Sequence, residues 1–218
     1  MKPTEITDII FDLGNVLVTV DWTPAYRKLA PHLPPDRARL MREDEAGFQE
    51  LFREPAAALE TGRVDFAEFY SRMTSILDVQ IPEKDFREIW CNVFSMKKDM
   101  VALGEQLSEH YQTWLASNTS RAHYRWIMES FPRVSFYREA ALSFELGVMK
   151  PAVEYYDKAL RLFGIEASRS VFIDDLSENV AGAVSAGING VVFRGRSELL
   201  RELHEMGVRV PNPAEEVR

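Results

Sequence analysis

Four short apolar runs frame this chain: residues 9–11, 113–116, 170–173 and 190–193, each bounded by polar residues or glycine. Uninterrupted apolar runs of this length suit strands buried on both faces, and such strands belong to parallel sheets whose two sides are covered by helices. Helical spacing fills the gaps between the later runs, over 124–131, then at Val153, Tyr156, Leu160 and Phe163, then over 180–186. Strand alternating with helix predicts an α/β fold built on a parallel sheet.

The stretch from about 21 to 96 breaks that rhythm. It holds no comparable strand, and Phe66, Phe69, Tyr70, Met73, Ile76 and Leu77 recur at helical spacing on one apolar face. Asp65 stands just ahead of that face with Glu68 three residues on, the pattern of a helix N-terminus. Phe86, Ile89, Trp90 and Val93 mark a further helix after Pro82. The stretch reads as an all-helical module inserted between the first and second strands. The closing residues 209–218, with two prolines, read as a loosely attached tail.

Composition narrows the function. With 218 residues, 46% of them hydrophobic, the chain can bury a real core. A net charge of −8, from 34 acidic against 26 basic residues and without a basic stripe, argues against a nucleic-acid binder. The single cysteine, Cys91, permits no internal disulfide and suits a reducing compartment, and the four histidines lack zinc-type spacing. Cys91 and Trp90 read as packing on a helical face. The first five residues lack a basic start ahead of an apolar stretch, and no run approaches the ~20 residues needed to cross a bilayer. A soluble, unprocessed cytoplasmic protein without a membrane partner is expected, as a monomer or weak dimer.

Chemistry is expected beyond the carboxyl ends of the strands, where open α/β sheets bind ligands. There the runs lead into Asp12-Leu13-Gly14-Asn15, Ser117-Asn118-Thr119 and Asp174-Asp175. Carboxylates gathered in one crevice repel unless a cation lies between them, and oxygen donors without cysteine or histidine favour Mg²⁺. Ser117 and Asn118, where a helix is expected to start, could hold phosphate oxygens together with that helix's free N–H groups. Lys150, ahead of the next helix, adds a positive charge. Each element alone has a plainer reading: Asp12 as a turn or helix cap, Ser117-Asn118 as a cap, Lys150 as a surface lysine, Asp174-Asp175 as an acidic loop.

In this order, the four stretches resemble motifs I to IV of the haloacid dehalogenase superfamily, most of whose members are phosphatases, and the resemblance spans the chain. Motif I is Asp12-Leu13-Gly14-Asn15-Val16-Leu17, motif II Ala116-Ser117-Asn118, motif III Lys150-Pro151, and motif IV Asp174-Asp175 followed by Glu178-Asn179. The resemblance implies a Rossmann-like core, 1–18 with 97–218, and a helical cap, 19–96, inserted between motifs I and II. Glu60-Thr61-Gly62-Arg63-Val64-Asp65 is similar to a turn common in such caps. Motif I most resembles the subgroup of sugar-1-phosphate phosphatases related to bacterial α-glucose-1-phosphatase.

That resemblance implies Mg²⁺-dependent hydrolysis of a small phosphorylated metabolite, such as a hexose 1-phosphate. Asp12 would attack phosphorus and also ligate the metal. Asp175, Asp174 through water and the Gly14 carbonyl would complete the metal site. Ser117 and Asn118 would bind the phosphoryl group, and Lys150 would stabilise both it and the nucleophile. Specificity would come from cap side chains such as Trp22, His32, Phe48 or Phe52, most of which read as cap core.

Gly14 departs from the pattern. Most phosphatases of the superfamily carry there a second Asp, which protonates the leaving oxygen. Its absence leaves three readings: a leaving group that needs little protonation, a substitute acid such as Asp21, or reduced activity. Asp21 reads more simply as a cap for the helix beginning at Thr23-Pro24. Two rival functions also follow: a 2-haloacid dehalogenase, which lacks the second Asp but needs no metal and usually carries an aromatic residue at that position, and a non-catalytic phospho-ligand binder.

Overall fold

The computed structural model describes residues 5–209, so the end of the expected tail and the first four residues lie outside the described residues. Its elements run β1 (Asp8–Phe11), β2 (Val18–Val20), α1 (Thr23–Leu29), α2 (Pro35–Glu43), α3 (Glu45–Glu60), α4 (Phe66–Leu77), α5 (Glu83–Cys91) and β3 (Phe94–Met96). They continue with α6 (Lys98–Ser108), β4 (Gln112–Ser117), α7 (Arg121–Ser130), β5 (Ala140–Leu142), α8 (Ser143–Leu146) and α9 (Val153–Phe163). The chain closes on β6 (Ser170–Asp174), α10 (Ser177–Ser185), β7 (Asn189–Val192) and α11 (Arg196–Glu205). None of the described helices is long and apolar enough to cross a membrane.

Five strands form one parallel sheet in the order β5-β4-β1-β6-β7. Both faces are buried, which is why the strands read as unbroken apolar runs. Ile9, Phe11, Leu115, Val171 and Ile173 pack into one cluster; their neighbours Ile10, Trp114, Ala116 and Phe172 pack into another on the opposite side. From β1 the chain builds β4 and β5 to one side, then returns to build β6 and β7 on the other. The strand order therefore reverses at β1, and a crevice opens beyond its carboxyl end.

β5 was not expected. Ala140-Ala141-Leu142 has little strand propensity, and it is extended because β4 offers it a partner, with Ala141 opposite Ala116. A second correction concerns the insertion, expected to hold no strand: Phe94–Met96 forms β3 and pairs antiparallel with β2, Val18 opposite Met96 and Val20 opposite Phe94. This two-stranded ribbon carries the chain into and out of the helices α1 to α5.

Those helices surround their own apolar cluster, which includes Phe48, Leu59, Phe69, Met73, Leu77, Phe86 and Trp90. Asp65 caps α4 by accepting a hydrogen bond from the Glu68 backbone N–H at 2.8 Å, as the sequence pattern predicts. Val93, read as part of α5, lies beyond its end at Cys91, although it is buried. Phe48 is wholly buried, Trp22 and Phe52 pack partly buried against the same cluster, and His32 is exposed. Burial pushes the Cys91 thiol up to about 12, which makes it inert.

Among the described residues, the helical module packs on the sheet domain through α7 and through α8. His123, on α7, is buried against the Trp90 ring with centroids 5.4 Å apart, and a ring nitrogen lies 3.0 Å from the Trp90 carbonyl. Burial lowers its pKa to about 4, so the imidazole is neutral there. At the second place the turn after α3 presses on α8. Gly62 has φ +67°, and a Cβ there would lie 2.3 Å from the Phe144 carbonyl oxygen. Gly62→Ala is therefore expected to cost more than about 1 kcal/mol, read as a lower urea midpoint, and to raise proteolytic nicking between the two modules. A midpoint equal to that of the unmodified protein would contradict the contact.

Candidate active site

Parallel register brings three strand ends level. Phe11 sits opposite Leu115 on one side and Ile173 on the other, so Asp12 follows β1 between the ends of β4 and β6. Asp12 is 7% exposed and its backbone N–H donates to the Ile173 carbonyl at 2.9 Å. Asp174 is the last residue of β6 and wholly buried.

Lys150 reaches this crevice from the loop ahead of α9. Its Nζ lies 2.7 Å from Asp12 Oδ1, 2.6 Å from Asp174 Oδ2 and 3.0 Å from the Ala116 carbonyl, and its side chain is 1% exposed. Three donors thus meet three acceptors, which satisfies the buried ammonium. Burial works against its charge, but Asp12 and Asp174 outweigh burial and raise the Lys150 pKa. Asp12 shows the opposite balance: burial pushes its pKa up to about 7, against the pull of Lys150 and with a further push from Asp174. Oxygen atoms of Asp12, Asp174 and Asp175 all lie within 4.8 Å of one another.

The remaining expected residues take more specific positions than sequence implied. Ser117 ends β4 and is buried. The Asn118 side chain, expected to bind phosphate, grips the Lys150 backbone: its Oδ1 accepts from Lys150 N at 2.9 Å and its Nδ2 donates to Lys150 O at 2.9 Å. The helix expected to start here starts later, at Arg121, with Ser120 accepting from His123 N at 3.2 Å as its cap. Ser117-Asn118 are therefore not helix caps.

Asp174, expected to approach a metal through water, is saturated by protein. Besides Lys150 it accepts from Leu176 N at 2.8 Å and from Asn179 Nδ2 at 3.0 Å on both oxygens. Its immediate role is to fix Lys150. Asp175 is half-buried and takes a hydrogen bond from Asn15 Nδ2 at 3.1 Å. The Gly14 carbonyl accepts from Val16 N at 2.7 Å and keeps a second lone pair.

Asp21, weighed as a substitute acid or as a helix cap, takes a hydrogen bond at the start of α1. It is exposed, its Oδ1 accepts from Thr23 N at 2.9 Å, and hydrogen bonding by the Thr23 side chain and then its N–H holds its pKa below the usual carboxylate value.

Sequence reading missed several supports. Ser143 accepts from Thr119 N at 2.9 Å and donates to Thr119 O at 3.1 Å, which ties α8 to the loop after β4. Gly182 lets α10 lie against Lys150-Pro151, since a Cβ there would fall 2.3 Å from the Pro151 carbonyl oxygen. Only the five-residue step from Asp174 to Asn179 hinted at the Asn179 contact. Removing the central cation tests the whole arrangement: Lys150→Met leaves two buried carboxylates facing each other and is expected to cost about 3–5 kcal/mol, read from urea unfolding in EDTA. A loss under about 1 kcal/mol would mean that the ion triad is solvated.

The chain is similar to several known proteins. A protein of Bacteroides thetaiotaomicron named D-ribitol-5-phosphate phosphatase is 28% identical over 188 residues, which cover 80% of this chain and 85% of that protein. A crystal structure of a haloacid dehalogenase family enzyme from the same organism matches with a TM-score of 0.77 at 22% identity, covering 89% of this chain and 98% of that one. The L-2-haloacid dehalogenase of Xanthobacter autotrophicus shares the fold at a TM-score of 0.61 and 13% identity, over 94% of this chain and 84% of its own. The model of the haloacid dehalogenase-like hydrolases matches residues 8–187, and the chain belongs to that family.

Proposed function

We propose that this chain is a magnesium-dependent phosphatase that cleaves a small sugar or polyol phosphate through an aspartyl-phosphate on Asp12. The observation that carries the proposal is the cluster itself: Asp12 buried at the reversal point of the sheet, with Asp174 and Asp175 beside it and Lys150 between Asp12 and Asp174. The D-ribitol-5-phosphate phosphatase noted above supports the substrate class. A further structure of the Bacteroides enzyme, matching at a TM-score of 0.74, was determined in complex with magnesium and inorganic phosphate.

The residues present suit such a cation. With all three carboxylates ionised against one ammonium the crevice would carry a net charge of −2, and every candidate donor is a hard oxygen. Asp12 and Asp175 would hold the ion, with the Gly14 carbonyl, while Asp174 keeps Lys150 in place. When bound, the cation offsets the repulsion between Asp12 and an incoming phosphate dianion and keeps Asp12 ionised.

An Asp12 carboxylate oxygen attacks phosphorus as the ester P–O bond breaks and the leaving oxygen departs with the bonding pair. Ser117 binds a phosphoryl oxygen, and the Lys150 ammonium, rigid in its cage, offsets charge on the transferring group. Water then attacks phosphorus, releasing inorganic phosphate and restoring the Asp12 carboxylate. With Gly14 and no substitute at Asp21, the proton for the leaving oxygen comes from solvent. A haloacid dehalogenase is disfavoured because Asp175, a ligand for the cation in the phosphatase reading, would serve no step of halide displacement.

Two outcomes follow. Phosphate release from p-nitrophenyl phosphate is expected to require Mg²⁺ and to vanish in Asp12→Asn, whereas metal-independent turnover or chloride release from 2-chloropropionate would sink the reading. Position 14 has room for a Cβ, which would sit 3.7 Å from Val20 Cγ2 and 3.9 Å from Asp12 Oδ2. Gly14→Asp should therefore raise kcat/KM for ribitol 5-phosphate by about 10²-fold or more and barely alter it for p-nitrophenyl phosphate. Equal effects on the two would show that leaving-group protonation is not limiting.

A further inference from the structure

Asn15 is one of two non-glycine residues with positive φ among the described residues, at 54°; the other, Asp78, ends α4 as its left-handed cap. Asparagine tolerates this conformation better than most residues, but it still needs a reason. No helix ends at Asn15, and its polar groups supply the reason. Nδ2 donates to Asp175 Oδ2 at 3.1 Å, Oδ1 accepts from Val20 N at 3.2 Å, and its carbonyl accepts from Lys97 Nζ. The partners also fix the orientation of the amide. Flipped, it would set its oxygen against a carboxylate and its NH₂ against an N–H.

Those partners belong to three different parts of the molecule. Val20 ends β2, the last strand before the helical module, and Lys97 follows β3, the first after it. Asp175 stands just past β6, in the acidic cluster. Asn15 is itself exposed, so water competes for its hydrogen bonds and they add little to folding. What they fix is direction: one amide points the Asp175 carboxylate and at the same time holds the strand that leads into the cap.

We propose that Asn15 is a positioning residue that orients Asp175 for the cation and couples that carboxylate to the ribbon β2–β3, so that metal binding and the position of the cap reinforce each other. The inference rests on the magnesium-dependent reading of the same site. Its test is binding, measured without substrate. Asn15→Gly removes the amide and accepts the positive φ freely, whereas Asn15→Ala removes the amide and strains the backbone.

Isothermal calorimetry with Mg²⁺ alone should show binding to the unmodified protein and about tenfold weaker binding to Asn15→Gly, the low end of the cost of losing a group that orients a ligand. The melting temperature of Asn15→Gly in EDTA should stay at that of the unmodified protein. Hydrogen exchange at the Val20 amide should slow when Mg²⁺ is added to the unmodified protein and show no Mg²⁺ effect in Asn15→Gly. Unchanged Mg²⁺ affinity in Asn15→Gly, with p-nitrophenyl phosphate turnover by the unmodified protein intact, overturns this inference alone. Weaker binding that only tracks a loss of stability in EDTA also overturns it, since Asn15 would then be merely structural. No Mg²⁺ binding by the unmodified protein overturns both this and the proposed function.

Discussion

The ammonium of Lys150, shut away between Asp12 and Asp174, is the constraint on which the site depends. A buried charge is tolerated only when its partners are close and its donors are used, and here three acceptors surround it. Much of the surrounding structure serves that requirement. Asn118 clamps the Lys150 backbone from both sides, Asn179 and the Leu176 N–H hold Asp174, and Gly182 gives α10 room beside Pro151. Elements far apart in sequence are therefore committed to one charge.

The same constraint separates the carboxylates by task. Asp174 is filled by protein donors and acts through Lys150. Asp12 remains partly open, with a pKa lifted by burial to about 7, so an added cation has work to do in keeping it ionised. Asp175, half-buried, is touched by Asn15, which also bonds the ribbon β2–β3 that leads into the helical module. One strand end thus anchors the ammonium, another presents the Asp12 carboxylate, and Asn15 ties Asp175 to the ribbon β2–β3.

Much of this was legible in the sequence because burial leaves a local mark. The parallel strands β1, β4 and β6 appear as apolar runs since both their faces are covered, β7 as a run of which Val191 is buried, and α4 shows its apolar face and its Asp65 cap directly. β5 and the ribbon β2–β3 left no such mark: each strand is three residues long, and pairing rather than propensity makes them extended. Asp12, Ser117, Lys150 and Asp175 could be singled out by their order and by the strand ends they follow. The grip of Asn118 on Lys150 could not, because it joins residues separated by 32 positions.

The sequence by itself determined the class of fold and the residue types available for chemistry: acids at two strand ends, one lysine, a glycine where a second acid commonly stands. Those follow from periodicity and from side-chain identity, which are local. Only the tertiary structure decided which acid would hold the lysine and which would stay open, that Asp21 lies exposed beside Thr23, and that Asn15 touches three segments together. Each of these depends on burial and on distances between remote residues, and a linear pattern carries neither.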